Sequence, residues 1–217
     1  MQNRSAKQYL PLGGIPLLAR TVQRFQRSSA VDAIYLVVPA TDLEYVRSTI
    51  VNPYGLTKVV KILPGGKERQ DSVCEGINAL DDGVDIVMIH DGVRPFIAEA
   101  LIRDAAEEAA RSGAATVAVP VKETVKVSGE KKRVVAYTPD RDQVWLTQTP
   151  QAFRREIIVQ SYQAAYRDAF YGTDDAVLAE RNGFPVTIVP GSYDNIKITT
   201  PDDLILAQYL LTKEEWS

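Results

Sequence analysis

The stretch DIVMIHDGVRPFI, residues 85–97, decides how the chain folds, because it joins an apolar strand directly to a polar loop. Its first part, DIVMIH, is a continuous β-prone run of the kind found in strands buried on both faces. Helical patterns flank it at about residues 69–80 and 98–112, and a further apolar run, ATVAVP, follows at residues 115–120. Strands that alternate with helices require crossover connections, so the pattern predicts an α/β fold with a doubly wound, mostly parallel sheet.

The size and composition of the chain agree with one globular domain. Its 217 residues are expected to form a single domain, 1–217, that buries roughly 70% of the surface of the unfolded chain. The net charge of -3 gives no general attraction to nucleic acid, and no apolar stretch approaches the ~20 residues that span a membrane. Cys74 is the only cysteine, and the N-terminus does not resemble a signal peptide, so we expect a cytoplasmic protein.

One segment interrupts the alternation of strands and helices. The sequence KETVKVSGEKKRVVAYT, residues 122–138, alternates apolar and polar residues on both sides of SGEK, which is a turn sequence. This pattern predicts a β-hairpin. We expect residues 121–141 to protrude from the domain as an arm, and a lone hairpin of this kind buries little apolar surface by itself.

The loops that follow the strands hold the candidate functional residues, as expected for a parallel sheet, in which ligands bind beyond the carboxyl ends of the strands. Asp91 follows the strand at residues 85–90 and offers a hard oxygen ligand for magnesium, or a partner for a hydroxyl group. The alternative is that Asp91 only caps a turn. His90, the only histidine, is expected to satisfy backbone groups in the core rather than to bind a ligand.

Two other features point to an anion site but are weak when taken alone. Gly65 and Gly66 would let a ligand approach the backbone closely, although an ordinary strand-to-helix turn explains them as well. Lys7, Arg141 and Lys197 lie at strand ends or turns, and phosphoryl and nucleotidyl transfer require positive groups around the phosphorus. Each of the three could equally be a solvated surface residue, because sequence spacing cannot show that they meet.

Seven motifs resemble, in their order and spacing, those of one known family. They are AKQYLPLGGIPLLART, GGKERQDSV, IHDGVRPF, PVKETVK, DRDQVWLTQTPQAF, TDDA and DNIKITTPDDL. Through them the chain is similar to the 2-C-methyl-D-erythritol 4-phosphate cytidylyltransferases over almost its whole length. The resemblance implies a nucleotidyltransferase sheet and the transfer of a cytidylyl group from CTP to methylerythritol phosphate, with release of pyrophosphate, in non-mevalonate isoprenoid biosynthesis. It also implies magnesium (Mg²⁺) as the cofactor, bound to the triphosphate.

The resemblance assigns roles to residues at positions that match the family's motifs. Lys7 is similar to the lysine that stabilises the charged transition state, while Arg141 and Lys197 resemble the pair that positions the attacking phosphate. Asp91 resembles the aspartate beside the metal and the substrate hydroxyls. Contacts to the sugar phosphate are implied for Arg94, Thr124 and Thr149, and contacts to the nucleotide for Gly66, Lys67, Arg69 and Ser72.

The resemblance further implies a homodimer in which two chains exchange their arms, so that each arm completes the partner's substrate site. The family also has a strand and a glycine-rich phosphate-binding loop with an arginine, all upstream of the lysine that matches Lys7. These parts have no counterpart in the sequence, which we expect to reflect an internal methionine recorded as the start or a truncated chain. Loss of that central strand would leave unpaired backbone groups on its neighbours and a gap in the core.

Two alternative functions stay open from the sequence. A ribitol 5-phosphate cytidylyltransferase has a similar set of loops and also uses CTP. A catalytically silent nucleotide-binding domain is the other alternative, because half of the triphosphate cradle has no counterpart. The motifs of P-loop NTPases, dinucleotide-binding dehydrogenases and zinc hydrolases are absent, so these classes are disfavoured.

Overall fold

A computed structural model of the chain describes residues 7–129 and 133–215. The α-helices within these residues are α1 (Leu17–Arg27), α2 (Leu43–Val46), α3 (Arg69–Asn78), α4 (Glu99–Ser112), α5 (Arg155–Arg167), α6 (Ala176–Arg181) and α7 (Pro201–Glu215). The strands are β1 (Pro11–Leu12), β2 (Ile15–Pro16), β3 (Ile34–Val38), β4 (Val59–Pro64), β5 (Ile86–Ile89), β6 (Ala114–Pro120), β7 (Val127–Ser128), β8 (Val135–Tyr137), β9 (Trp145–Arg154) and β10 (Thr187–Pro190). A π-helical turn continues α2 over Arg47–Val51, and 3-10 turns lie at Lys7–Tyr9, Ala40–Asp42 and Arg141–Gln143. No helix among the described residues is long and apolar enough to cross a membrane.

The larger sheet has four strands in the order β10-β6-β9-β5. β10 runs parallel to β6, whereas β9 runs antiparallel to both β6 and β5. β5, β6 and β10 therefore share one direction, and their carboxyl ends lie at the same edge of the sheet. The predicted α/β fold with a mostly parallel sheet is confirmed, with β9 as an antiparallel strand inside it.

Helices cover both faces of this sheet. Ala152 of β9 packs with Ala105 and Ala109 of α4, whereas the next residue, Phe153, packs with Ile158 of α5. Successive side chains of a strand point to opposite faces, so α4 and α5 lie on opposite sides. This arrangement is the doubly wound architecture that the alternation of strands and helices predicts.

The sequence pattern does not predict β9, because its middle is polar. Pro150 lies where the pairing of β9 with β6 shifts register between Thr116 and Ala118. Proline has no N–H group and is tolerated at such an irregularity. Gln151 follows Pro150 and is fully buried, so its amide must find hydrogen-bond partners inside the protein.

A cavity separates the larger sheet from the parallel pair β3–β4. Within the described residues, β3 pairs only with β4, and β5 pairs only with β9. The cavity between β3 and β5 has a volume of about 810 Å³. α1 lines it through Val22 and Phe25, α3 through Val73 and Ile77, and α4 through Ala106. The cavity therefore lies between two strand edges and three helices.

The amino end of α7 is fixed by a reciprocal cap. Asp203 Oδ2 accepts hydrogen bonds from the backbone N–H groups of Thr199 and Thr200, each at 2.8 Å, and the Thr200 hydroxyl accepts one from the N–H of Asp203 at 3.2 Å. The backbone N–H groups lower the pKa of Asp203 to about 2. Because Lys197 comes shortly before this cap, the segment that carries its side chain is held in place.

The predicted hairpin is present and exposed. β7 and β8 pair antiparallel, with Val127 opposite Tyr137. Part of the predicted SGEK turn falls on residues 130–132, outside the described residues. Val134, Val135 and Tyr137 are each more than half exposed, at 58%, 55% and 59%. The other residues that the structure describes therefore leave these three side chains largely uncovered, and arm exchange stays a prediction.

Candidate active site

The carboxylate of Asp91 lies among three cationic side chains. Its Oδ2 is 3.1 Å from Nζ of Lys197 and accepts a hydrogen bond from Nε of Arg94 at 3.2 Å. Its Oδ1 is 3.5 Å from Nε of Arg69. The side chain of Asp91 is only 10% exposed, so a buried anion is compensated from three directions. We call these four residues the Asp91 cluster.

The fold brings the members of the Asp91 cluster together from different parts of the chain. Asp91 and Arg94 lie in the turn after β5, and Arg69 is the first residue of α3, after the loop that follows β4. Lys197 lies in the segment between β10 and α7. All of these loops follow the carboxyl ends of strands, where ligands bind in open α/β sheets.

The local charge favours an anionic ligand. Burial opposes the ionisation of Asp91, but the charges of Lys197, Arg69 and Arg94 outweigh burial and lower the pKa of this carboxyl to about 2. Asp175 is a second carboxylate that contacts the cluster, through Arg69. Three cations and two carboxylates leave one positive charge. Lys197 and Arg69 are 41% and 36% exposed, so both can reach a bound phosphate.

Arg94 is an internal link within the cluster. It is 9% exposed, and its Nη1 donates to the backbone oxygen of Asn195 at 2.8 Å while its Nε donates to Asp91. Asn195 in turn donates from Nδ2 to the backbone oxygen of Thr149 at 2.9 Å. With so little open surface, Arg94 mainly fixes Asp91 relative to the segment that carries Lys197, and its predicted contact with the sugar phosphate stays a prediction.

His90 and Thr149 support Asp91 from the interior. Nε2 of His90 lies 3.2 Å from the backbone oxygen of Arg94, and because a carbonyl oxygen only accepts, Nε2 carries the hydrogen. Burial lowers the pKa of His90 to about 4, so the ring is neutral at pH 7 and Nδ1 accepts from the Thr149 hydroxyl at 3.0 Å. The same hydroxyl oxygen accepts from the N–H of Asp91 at 3.1 Å. The prediction that His90 satisfies backbone groups is confirmed, whereas the hydroxyl of Thr149 is already occupied by protein groups.

The loop between β4 and α3 is closed by Ser72. The N–H of Gly66 donates to the Ser72 hydroxyl at 3.2 Å, and that hydroxyl donates to the backbone oxygen of Glu68 at 3.1 Å. A Cβ atom on Gly66 would overlap the Cβ of Asp71, so the loop has this shape only with glycine there. Lys67 is exposed at the tip of the loop. Gly66, Lys67 and Ser72 therefore form one compact turn that leads directly into Arg69.

Three predicted site residues lie apart from the Asp91 cluster within the described part of the chain. Lys7 is exposed in the first described 3-10 turn, Thr124 is exposed before β7, and Arg141 is exposed in the 3-10 turn after β8. None of them makes a hydrogen bond or ion pair with the cluster in those residues.

Sequence reasoning gave no role to the residues that lie behind Arg69. Asp175, Tyr162 and Gln151 are all buried and are joined by hydrogen bonds. The sequence signals are that Asp175 belongs to the motif TDDA and Gln151 to the motif DRDQVWLTQTPQAF. The network itself spans β9, α5 and α6, and no local pattern could have indicated it.

A doubly wound sheet with a net positive, partly open cluster and a glycine-bearing turn at its strand ends is suited to a phosphate-bearing ligand and fits the class of α/β nucleotidyltransferases. The comparison with known sequences narrows the class to one family. The family model described as 2-C-methyl-D-erythritol 4-phosphate cytidylyltransferase matches residues 1–213, and the chain belongs to this family.

Individual relatives agree with this assignment. The chain is 51% identical to the 2-C-methyl-D-erythritol 4-phosphate cytidylyltransferase of Syntrophus aciditrophicus, over 99% of this chain and 92% of the relative. It is 46% identical to the enzyme of the same name from Geobacter metallireducens, over 96% of this chain and 90% of the relative. Among solved structures, the 4-diphosphocytidyl-2C-methyl-D-erythritol synthase of Anaerococcus prevotii is 35% identical, with a TM-score of 0.86, over 93% of this chain and 88% of that chain.

Proposed function

We propose that this chain transfers the cytidylyl group of CTP to 2-C-methyl-D-erythritol 4-phosphate, giving 4-diphosphocytidyl-2-C-methylerythritol and pyrophosphate. The observation that carries the proposal is the Asp91 cluster, a net positive site at the strand ends of a chain that belongs to this family. A phosphate oxygen of the sugar phosphate attacks the α-phosphorus of CTP, and the bond from this phosphorus to the pyrophosphate oxygen breaks. The reaction belongs to non-mevalonate isoprenoid biosynthesis, and we place the enzyme in the cytoplasm.

The central physical problem of this reaction is that two polyanions must approach each other. Lys197 is the more open cation of the cluster and extends toward solvent beside Asp91, so it is suited to hold the attacking phosphate. Arg141 is its proposed companion, and Lys7 is the proposed cation beside the reacting phosphorus. Cations fixed in advance replace an improbable encounter by a local one and stabilise the charge of the transition state.

Contacts to the nucleotide are proposed for the turn between β4 and α3. Gly66 packs closely against Asp71, which only a residue without a side chain can do, while Ser72 holds the backbone in shape. Lys67 and Arg69 lie at the tip and at the end of this turn, where exposed N–H groups can reach the base or the phosphates. Contacts to the sugar phosphate are proposed for Asp91, which is held in place by Arg94 and Thr149.

Magnesium is the proposed cofactor, and the residues present fit an ion that arrives with the triphosphate. No three His, Cys, Asp or Glu side chains in the described part of the chain cluster as an all-protein metal cage requires. Mg²⁺ is commonly held by one or two carboxylates together with substrate phosphates. Asp91 supplies one carboxylate, and among the described residues its Oδ1 has only the 3.5 Å contact with Arg69, so this oxygen would hold the ion. The ion would neutralise charge on the triphosphate, while Arg69 would bind phosphate oxygens of the nucleotide and Lys197 those of the sugar phosphate.

A homodimer with exchanged arms is proposed because one chain leaves two predicted substrate contacts away from the cluster. Thr124 and Arg141 flank the hairpin β7–β8 and make no hydrogen bond or ion pair with the Asp91 cluster among the described residues. The exposed Val134, Val135 and Tyr137 need a partner surface. An arm from a second copy would satisfy both requirements.

The proposal is tested by incubating the purified chain with CTP, magnesium and one sugar phosphate at a time. We expect pyrophosphate release and a cytidine diphosphate product of the expected mass with methylerythritol phosphate, and background release with ribitol 5-phosphate. Faster release with ribitol 5-phosphate would instead establish the ribitol enzyme. Sedimentation of the same sample tests the dimer, and full activity in a monomer would contradict arm exchange.

A catalytically silent nucleotide-binding domain, the other alternative from the sequence, is less well supported, because relatives that are 46–51% identical over almost the whole chain carry the name of the transferase. Calorimetric binding of CTP without pyrophosphate release would support this alternative, and release at a rate typical of enzymes would exclude it.

A further inference from the structure

A second carboxylate, that of Asp175, lies behind the Asp91 cluster. It is 1% exposed, and both of its oxygens have partners. Oδ2 accepts a hydrogen bond from Nη2 of Arg69 at 2.7 Å, and Oδ1 accepts one from the hydroxyl of Tyr162 at 2.6 Å. A carboxylate this deeply buried is retained as an anion only with such partners. Asp175 is therefore a fixed negative charge immediately before α6.

The backbone around Asp175 is held equally firmly. Oε1 of Gln151 accepts hydrogen bonds from the N–H groups of Asp175 and Ala176, at 2.9 and 3.0 Å. Nε2 of Gln151 donates to the Thr116 hydroxyl at 3.1 Å and to Asp174 Oδ2 at 2.8 Å. The amide is thus bonded on both ends within the core. Because of these bonds, Asp175 cannot follow Arg69 if the arginine moves.

Arg69 lies between the two carboxylates but is not shared equally. Its bond to Asp175 is 2.7 Å long, whereas its Nε is 3.5 Å from Asp91, at the limit of a hydrogen bond. Burial favours the neutral guanidinium, but the charge of Asp175, and then that of Asp91, raises the pKa of Arg69. Of the five N–H donors of an arginine, two are directed at these carboxylates, and within the described residues the others bond to no protein atom. Those donors remain for a ligand.

From this geometry we infer that Asp175 is a positioning residue, which holds Arg69 away from Asp91 and so keeps both groups open to substrate. An arginine beside a single carboxylate tends to form two parallel hydrogen bonds with it. Without the charge of Asp175, Arg69 closes onto Asp91 in that way. The closed pair neutralises Asp91, uses Arg69 donors that would bind the nucleotide, and competes with Lys197. The inference deepens the proposed function and rests on it for the role of Arg69 toward CTP.

The kinetic test is a double-mutant cycle between Asp175→Asn and Arg69→Ala. Asparagine keeps the shape of Asp175 but removes its charge. We expect Asp175→Asn to lower kcat/KM for CTP by about tenfold or more when Arg69 is present, and by less than about twofold when Arg69 is already alanine, because coupled residues are not additive. Equal losses in both backgrounds would show that Asp175 only supports the fold, and would overturn the inference.

Tyr162→Phe is the matched control. It removes the other hydrogen bond of the same carboxylate but leaves the charge that holds Arg69. We expect kcat/KM for CTP to stay within about threefold of wild type, since the ion pair persists. A loss as large as that of Asp175→Asn would mean that packing around α6, and not the position of Arg69, sets the activity.

A crystal structure of Asp175→Asn without ligands gives a readout that needs no activity. We expect two nitrogen–oxygen distances below about 3.2 Å between Arg69 and Asp91, in place of the single 3.5 Å contact. An Arg69 that stays where it is would overturn the inference even if the enzyme is active. Failure of the wild-type chain to use or bind CTP would instead overturn the proposed function, while the position of Arg69 still decides the inference.

Discussion

Replacement of Lys197 by alanine should separate turnover from stability. Nζ of Lys197 is 3.1 Å from Asp91 Oδ2, and the side chain is 41% exposed. At this distance the attraction is about 1 kcal/mol in water and about 5 kcal/mol at an effective dielectric constant of 20. The ammonium lies on the solvent side of the pair, so water replaces it when it is removed, and Asp91 keeps Arg94 and Arg69 as partners. The loss should therefore stay near the ~1 kcal/mol of a solvent-screened ion pair, and Tm should fall by no more than about 4 °C.

The expected kinetic effect of Lys197→Ala is much larger. If Lys197 holds the attacking phosphate, its loss removes one preorganised cation, and such losses lower kcat by about 100- to 1000-fold. The assay is the rate of pyrophosphate release at saturating CTP and methylerythritol phosphate, with Tm measured by differential scanning fluorimetry on the same preparations.

Lys61→Ala is the control for Lys197→Ala. Lys61 pairs with Asp81 on the surface, and its side chain is 36% exposed, close to that of Lys197. It lies on β4 and its ammonium contacts the backbone oxygen of Ala79 and the carboxylate of Asp81 rather than the Asp91 cluster, so Tm should shift by a similar small amount while turnover stays at the wild-type value. The reasoning is refuted if Lys197→Ala keeps turnover within about tenfold of wild type, or if Lys61→Ala loses as much.

Three further changes probe other parts of the structure. Arg94→Ala leaves the buried Asp91 less compensated and should cost about 3–5 kcal/mol, seen as a fall in Tm of about 10 °C; an unchanged Tm would contradict the role of Arg94 as an internal link. Gly66→Ala forces its turn away from Asp71 and should raise KM for CTP about tenfold with Tm little changed, and an unaltered KM would separate this turn from the nucleotide. Since the pKa of Asp203 is lowered from 3.8 to about 2, its contribution is present above pH 3.8 and is lost as the pH falls toward 2. Urea unfolding at a series of pH values should therefore show Asp203→Asn about 1 kcal/mol less stable than wild type near neutral pH, with the difference vanishing near pH 2.

The overall fold could be predicted from local patterns because most of its elements carry them. The apolar run at residues 85–90 and the helical pattern after it became β5 and α4 with nearly the expected bounds. β9 was missed because its buried face includes Gln151, whose amide is satisfied by partners from β6 and the start of α6. From the sequence alone, a polar residue of this kind indicates a loop, because its hydrogen-bond partners are known only from the tertiary structure.

The candidate site was predicted only in part, for a related reason. Asp91 could be identified because it follows a buried strand directly, Lys197 was a candidate as a cation in a turn, and motif resemblance added Arg69. The grouping of these side chains comes from the fold, since they lie in segments that are far apart in the sequence. Asp175 and Tyr162 had no predicted role, because a buried charge pair depends on tertiary neighbours rather than on a local pattern.

The separation of β3 from β5 also divides the protein into units of unequal local stability. β6 and β9 share the longest ladder and should exchange their amide hydrogens only on global unfolding, whereas β3 and β4 can open at a lower free energy. Gly66 belongs to the easily opened unit and Asp91 to the protected one. A ligand that contacts both turns therefore joins the two units. Bound CTP should slow hydrogen exchange most in β3 and β4, although in that unit it contacts only the turn that follows β4.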